Sequence, residues 1–252
     1  MEVGYDAGMT ANSQNLAESA TSATSRRIPK WESDTKERIK SGMRKYLKPL
    51  QDLMERDANE GDTRLLVTDI LCDLLGYDKY TELATEYMVK GDFADYGIRI
   101  DGQIIALVEV KRIATQLTKK HLRQVEMYGV NEGVEWLMLT NGRTWQVYRL
   151  VPGMPVSVDL VVEVDLMGDG ETLARKVDKL AHMSKEFMKH GTLDDLWKVN
   201  AATSPSSLAQ TILSDAVLDV ARKELKRRTG YSMDAAELGR CIRDAVILPE
   251  LT

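Results

Sequence analysis

The chain has 252 residues, a length that supports one large domain or two small ones around a well-filled core. Hydrophobic residues make up 43% and charged residues 29%, the balance of a globular chain, which excludes a wholly disordered or fibrous protein. The formal net charge of -5 gives no general attraction to nucleic acid, and the longest apolar run, Ile104 to Val108, is far short of the ~18 residues that span a bilayer.

Met1–Arg27 is rich in Ser, Thr, Ala and Asn with no apolar periodicity and reads as a disordered tail. Met1–Thr24 also lacks the apolar stretch of a secretion signal, so export is not expected. A helix is expected from a cap at Ser33 or Asp34 to about Arg56, with Ile39, Met43, Tyr46, Leu47, Leu50 and Met54 on one face and Pro49 as a candidate kink. The spacing of Leu66, Val67, Ile70, Leu71 and Leu74 predicts a second helix over Asp62–Leu75, ended by Gly76.

After Gly76 the pattern becomes strand-like over Glu82–Val89, Asp95–Ile100 and Gln103–Arg112, with Asp101-Gly102 marking a hairpin turn. A helix fits Thr118–Val130, followed by strands Glu135–Thr140, Thr144–Leu150 and Val156–Val164, the first two joined by Asn141-Gly142. Beyond Met167 the sequence predicts helices over about Glu171–Lys189, Leu193–Lys198, Ser206–Thr229 and Ala235–Ile247, with Pro205 marking a linker. Trp136 and Trp145 read as core or half-buried strand residues, and Met167-Gly168-Asp169-Gly170 as a loop.

Charge is separated along the chain. Asp52–Asp101 holds thirteen acidic residues against five basic ones, whereas Lys111–Arg123 holds Lys111, Arg112, Lys119, Lys120 and Arg123 and no acidic residue. That order fits a metal-binding pocket beside a phosphate-binding rim, or simply two solvated faces.

Side chains alternate across a strand, so Glu109 and Lys111 share a face opposite Ala106, Val108 and Val110. A three-residue loop Asp101-Gly102-Gln103 would pair Ile100 with Ile104, set Asp95 against Glu109, and gather Ile98, Ile100, Ile104, Ala106, Val108 and Val110 on the core face. A two-residue loop would scatter both sets. Two carboxylates so placed are hard ligands suited to Mg²⁺, and Lys111 beside them can orient a water and stabilise charge on an attacked phosphate. In isolation the same triplet is more often a surface ion pair.

The ordered set Asn59-Glu60-x-x-Thr63-Arg64, Leu75-Gly76-Tyr77, Asp95-Tyr96, Glu109-Val110-Lys111-Arg112, Gln124-x-x-x-Tyr128 and Thr140-Asn141-Gly142-x-x-Trp145 resembles the PD-(D/E)xK nucleases. Within them it is most similar to the N-terminal domain of type I restriction enzyme R proteins. The resemblance covers about Asn59–Tyr148, and Ala94 stands where the first residue of the name motif would be, a position that is not a ligand. It implies a restriction-endonuclease-like α/β fold, a mixed sheet flanked by helices, as a nuclease domain over 28–200 with a helical extension over 201–252. It also implies a Mg²⁺-dependent phosphodiesterase for which Mn²⁺ substitutes. Asp95 and Glu109 would be metal ligands, Lys111 would stand at the attacking water, and Glu60 would assist.

The same resemblance places Arg112, Lys119, Lys120, Arg123, Gln124 and Tyr128 at the DNA backbone. Without the strand motif, the helix carrying Gln124 and Tyr128 reads as an amphipathic cover whose polar face meets water. The expected function is metal-dependent DNA cleavage in defence, endonucleolytic rather than exonucleolytic. The alternatives are a catalytically silent module for DNA binding or assembly, and an RNA-processing or repair nuclease with the same site. No G-x-x-x-x-G-K-[ST] cradle is present, so no ATP is expected to bind. His121, His182 and His190 lack zinc-site spacing, and Cys72 and Cys241 are too few for a disulfide framework or a four-ligand zinc site, which fits a reducing cytoplasm. Ser206–Thr252 carries an apolar stripe from Leu208 to Leu225 and a basic helix end, and is expected to pack on the core or on a second copy of the chain.

Overall fold

The computed structural model describes residues 28–247, so the expected tail over 1–27 lies outside the described residues, as do 248–252. Helix α1 (Lys30–Glu55) buries Thr35, Ile39, Met43, Tyr46, Leu50 and Leu53; of the expected stripe, Leu47 is exposed and Met54 only half-buried, because the buried face follows Leu50 to Leu53. It begins earlier than expected: Pro29 precedes the first turn, and Ser33 donates its hydroxyl to the Lys30 carbonyl from inside the helix instead of capping it. Helix α2 (Glu60–Asp69) starts at an Asn59 cap whose side-chain oxygen accepts the Asp62 N–H at 2.8 Å. The chain then widens into a π turn, Ile70–Leu74, closed by the Leu75 N–H on the Ile70 carbonyl, and Gly76 ends the helix at φ +80°.

Six strands form one mixed sheet in chain order: β1 (Leu83–Val89), β2 (Asp92–Ile100), β3 (Gln103–Val110), β4 (Trp136–Thr140), β5 (Thr144–Val151) and β6 (Ser157–Asp165). All neighbours are antiparallel except β3 and β4, which run parallel because helix α3 (Lys119–Glu132) carries the chain back between them. Thr118 caps α3 and Gly133 closes it in the left-handed region.

One face of the sheet packs Tyr96, Ile98, Ala106, Val108, Val110, Met138, Trp145 and Val147 against α1, α2 and the helices that follow β6. The other packs Leu107 and Leu137 against Val125 and Tyr128 of α3. Trp136 and Trp145 are both buried, and the Trp145 indole N–H donates to the Gly142 carbonyl at 3.0 Å.

The β2–β3 hairpin corrects the expected loop. Its turn is the two-residue Asp101-Gly102, with Ile100 paired to Gln103 and Arg99 to Ile104. A bulge at Ile105 then absorbs one residue, so that Ile98 faces Ala106 and Tyr96 faces Val108, the register the three-residue loop would have given. The cost is Ile104, which turns to the α3 face while Ile105 joins the α1 face.

Past β6, the helix expected over Glu171–Lys189 is two: α4 (Leu173–Ala181) and α5 (Lys185–Lys189). In the break the Ser184 hydroxyl donates to the Ala181 carbonyl at 2.7 Å, a local bond that competes with the helical ladder. Tyr77 fixes the same point by donating to the Met183 carbonyl. Helix α6 is Thr192–Ala202, and the expected linker shrinks to Thr203-Ser204, where Ser204 caps α7 (Pro205–Ile212) with Pro205 in its first turn. The helix expected over Ser206–Thr229 also splits, into α7 and α8 (Asp215–Thr229), and α9 spans Ala235–Ala245. These last three helices pack mainly on one another and on α6. Among the described residues no helix is long and apolar enough to cross a membrane.

Candidate active site

The candidate site forms where β2 and β3 part. Ladder pairing ends at Tyr96 and Val108, and the next residue outward on β2 is Asp95. Its carboxylate replaces the missing backbone partner: Oδ2 accepts the Val110 N–H at 2.7 Å. On the other flank of β3 the Lys111 N–H reaches the Thr140 carbonyl of β4. The tip of the β1–β2 hairpin changes face at this level, since Leu83 and Tyr96 belong to the α1-side core while Tyr87 and Ala94, at the same strand parity, belong to the α3 side. Glu86, which stands across from Asp95 between the pairs Thr85–Tyr96 and Tyr87–Ala94, takes φ +48° there.

Glu109 is buried, with 3% of its surface exposed, at the end of a strand whose neighbours are Val108 and Val110. Its Oε1 accepts from Lys111 Nζ at 2.5 Å, while its Oε2 is buried with no hydrogen-bond partner among the described residues. Burial pushes the Glu109 carboxyl up to about 7 against the pull of the Lys111 hydrogen bond, and the negative charges of Asp95 and Glu60 add to the rise. Burial alone would lower Lys111, but the hydrogen bond to Glu109 and the surrounding carboxylates outweigh it and hold the ammonium above its usual range. Lys111 thus occupies Oε1 and leaves Oε2 a buried oxygen with no partner among the described residues.

Lys111 also donates to Gln124 Oε1 at 3.3 Å, and Gln124 Nε2 donates to the Tyr128 hydroxyl at 3.0 Å. Tyr128 is 5% exposed, and its hydroxyl anchors the amide that holds Lys111. Lys119, Lys120 and Arg123 stand exposed on α3 and form no ion pair among the described residues. Arg112 is turned to Asp57 at 3.1 Å. Glu60 is exposed in the first turn of α2, close enough for its charge to act on both Glu109 and Lys111. Thr63 of the same helix accepts the Ile113 N–H at 3.1 Å, which ties α2 to the segment leaving the site.

The structure thus gathers Asp95, Glu109, Lys111, Glu60 and Gln124, and adds two residues the sequence reading missed. Arg64 of α2 donates to Asp95 Oδ1 at 3.0 Å and lies 3.5 Å from Glu86 Oε1. Arg64 could have been found as part of the Glu60-x-x-Thr63-Arg64 string, but Glu86 carries no signal until β1 is paired with β2. Among the described residues no group of three or more metal-ligating side chains is preassembled. The donors fit Mg²⁺, which takes one or two carboxylates and completes its shell with water and phosphate: both are hard oxygens, and Glu109 Oε2 has no partner among the described residues.

Beside the site a cleft of about 470 Å³ runs along the ends of β4, β5 and β6, lined by Ile113, Gln116, Asn141, Arg143, Gln146 and Glu163 among others. Asn141 shapes it by donating to the Thr115 carbonyl and accepting the Arg143 and Thr144 N–H groups.

No curated protein and no solved structure matches the chain. Residues 59–160 match the model of the family described as type I restriction enzyme R protein N terminus (HSDR_N), and the segment carrying Glu60, Asp95, Glu109, Lys111 and Gln124 is therefore HSDR_N-like.

Proposed function

We propose that the chain is a Mg²⁺-dependent nuclease that hydrolyses DNA phosphodiester bonds in a restriction-like role, cutting internally. The observation that carries the reading is Glu109: a carboxylate 3% exposed, with one oxygen on Lys111 and the other unpartnered, is costly to keep unless a cation uses it. The match to a restriction-enzyme family supports DNA as the substrate.

In this reading Asp95 and Glu109 would hold the metal, which when bound would supply charge to polarise the scissile phosphate and make a water more acidic. Lys111, fixed by Glu109 and by Gln124, orients the attacking water and offsets charge that builds on the phosphate. Gln124 keeps Lys111 in place and is itself kept by Tyr128. Glu60 adds negative charge that favours the divalent ion, and Lys119, Lys120 and Arg123, with Arg112, form the rim that meets the DNA backbone.

The test is incubation of the purified chain with supercoiled and linear plasmid DNA in Mg²⁺ or Mn²⁺ without ATP. Nicked and linear products that vanish with chelator and in Asp95→Ala and Glu109→Ala are expected; intact DNA together with no divalent-ion binding overturns the reading. One observation favours a second reading, a DNA-binding module without chemistry: both oxygens of Asp95 are already engaged, by Arg64 and by Val110. Retention of DNA with no cleavage in either metal is its signature.

A further inference from the structure

The surroundings of Asp95 contain a cation already. Arg64 Nη1 donates to Asp95 Oδ1 at 3.0 Å, its Nη2 lies 3.5 Å from Glu86 Oε1, and the Val110 N–H fills Asp95 Oδ2. The three carboxylate residues Glu86, Asp95 and Glu109 lie at one level across β1, β2 and β3, and the guanidinium bridges the first two. Exposure falls along that row: the side chain of Glu86 is 68% exposed, Asp95 12% and Glu109 4%. The side chain of Arg64 is 37% exposed, between those of Glu86 and Asp95.

From this geometry we infer that Arg64 is the resident counter-ion of the metal position: it holds Asp95 until a divalent ion displaces it, and Glu86 receives the displaced guanidinium. The inference rests on the two-carboxylate metal reading above. A guanidinium and a divalent ion cannot share Asp95 Oδ1 without like-charge repulsion at a few ångströms, so entry of the metal requires Arg64 to leave. The move is short, because Nη2 already lies near Glu86, and a planar fork transfers between two carboxylates without losing its charge partner. The exposed Glu86 loses little hydration in taking it. Asp95 stays in register throughout, because Val110 holds the oxygen that Arg64 does not touch. Arg64 is therefore a positioning residue for Asp95 in the free protein and a competitor of the metal, and the free-ion affinity is set by the difference.

The test is calorimetric titration of Mn²⁺ into the full chain at fixed ionic strength, with folding of each variant checked by circular dichroism. Arg64→Gln is expected to bind Mn²⁺ roughly tenfold more tightly than wild type, since a competing charge-assisted hydrogen bond is gone. Glu86→Gln is expected to bind roughly threefold more weakly, and to change binding by less than about twofold once Arg64→Gln is also present, because Glu86 acts through Arg64. Arg64→Lys, which keeps the charge without the fork, should fall between wild type and Arg64→Gln, and it keeps the test open should Arg64→Gln fail to fold. If Arg64→Gln, or Arg64→Lys in its absence, binds no more tightly than wild type while Asp95→Ala abolishes binding, the counter-ion role is overturned and the metal reading stands. If neither wild type nor the Arg64 variants bind Mn²⁺, the metal reading itself falls, and this inference with it.

Discussion

Asp95 accepts the backbone N–H of Val110 at 2.7 Å, doing with a side chain what the β2 backbone does elsewhere along β3. Val110 is fully buried, so its N–H has no water to turn to. Asp95→Ala should therefore cost about 1–3 kcal/mol of stability from the orphaned donor, whereas Asp95→Asn, which keeps an acceptor in place, should cost markedly less. Both should lose divalent-ion binding. Urea denaturation beside Mn²⁺ titration separates the two effects, and equal destabilisation by the two substitutions would show that the bond carries no stability.

The Glu109–Lys111 pair predicts a different split. Lys111→Ala leaves both carboxylates, so Mn²⁺ should still bind, while cleavage falls roughly a thousandfold at ~1.4 kcal/mol per tenfold. Glu109→Ala should lose both. Single-turnover cleavage of plasmid DNA compared with Mn²⁺ binding reads the difference, and loss of metal binding in Lys111→Ala would assign Lys111 to holding the site together instead of to the attacking water.

A third prediction concerns packing under α3. Alanine is ordinarily favoured over glycine inside a helix by about 1 kcal/mol. At Gly129 a methyl group would lie 2.9 Å from the Val134 carbonyl oxygen and 2.7 Å from Leu137 Cδ2, and a backbone oxygen cannot rotate away. Gly129→Ala should accordingly destabilise the protein by about 1–3 kcal/mol despite the gain in propensity. A raised melting temperature would mean that α3 can lift off the sheet without loss.

Away from the site, Asp165 gives a pH-dependent contribution of known sign. Burial alone would raise its carboxyl, but the two-pronged Arg143 contact and the Met167 and Gly168 N–H groups outweigh it and hold the carboxyl below its usual range. A depressed carboxylate stabilises the fold above its unfolded value of 3.8, and that stabilisation is lost as pH falls through the lower folded value. Asp165→Asn should thus be less stable than wild type by roughly 1 kcal/mol at pH 7, a figure reduced for partial exposure, and the gap should close below about pH 3.8. Parallel melting curves that keep their separation in acid would refute it.

Legibility in the sequence followed the range of the interactions concerned. The contact between Glu109 and Lys111, the Asn141-Gly142 turn and most of the α1 stripe are set by neighbours a few positions away and stand where the sequence puts them, although β3 ends at Val110 and Leu47 of the stripe is exposed. The register that brings Asp95 toward Glu109 was reached through the wrong loop: alternation demanded the pairing, but whether a longer turn or a bulge supplies the extra residue depends on how Ile104 and Ile105 divide between two cores. The breaks at Ser184 and Ser214 were illegible for a related reason, since apolar periodicity continues through both. Arg64 meets Asp95 across thirty-one positions, and Glu86 joins them only through β1–β2 pairing, so neither contact has a local signature.

Helices α7, α8 and α9 bury only Ala209, Leu218, Leu238 and Gly239, while Leu208, Ile212, Val217 and Val220 remain exposed. Their neighbours are α6 and one another, so few of their contacts report on whether the sheet is folded. Cooperativity needs shared contacts, and here the share is small. In the isolated chain, amides from about Pro205 onward should exchange with solvent through local opening at a free energy well below that of the β3 and β4 amides, and heating should release this segment before the sheet. Whatever binds those exposed side chains would raise the protection of the segment alone, which makes its exchange rate a direct gauge of occupancy.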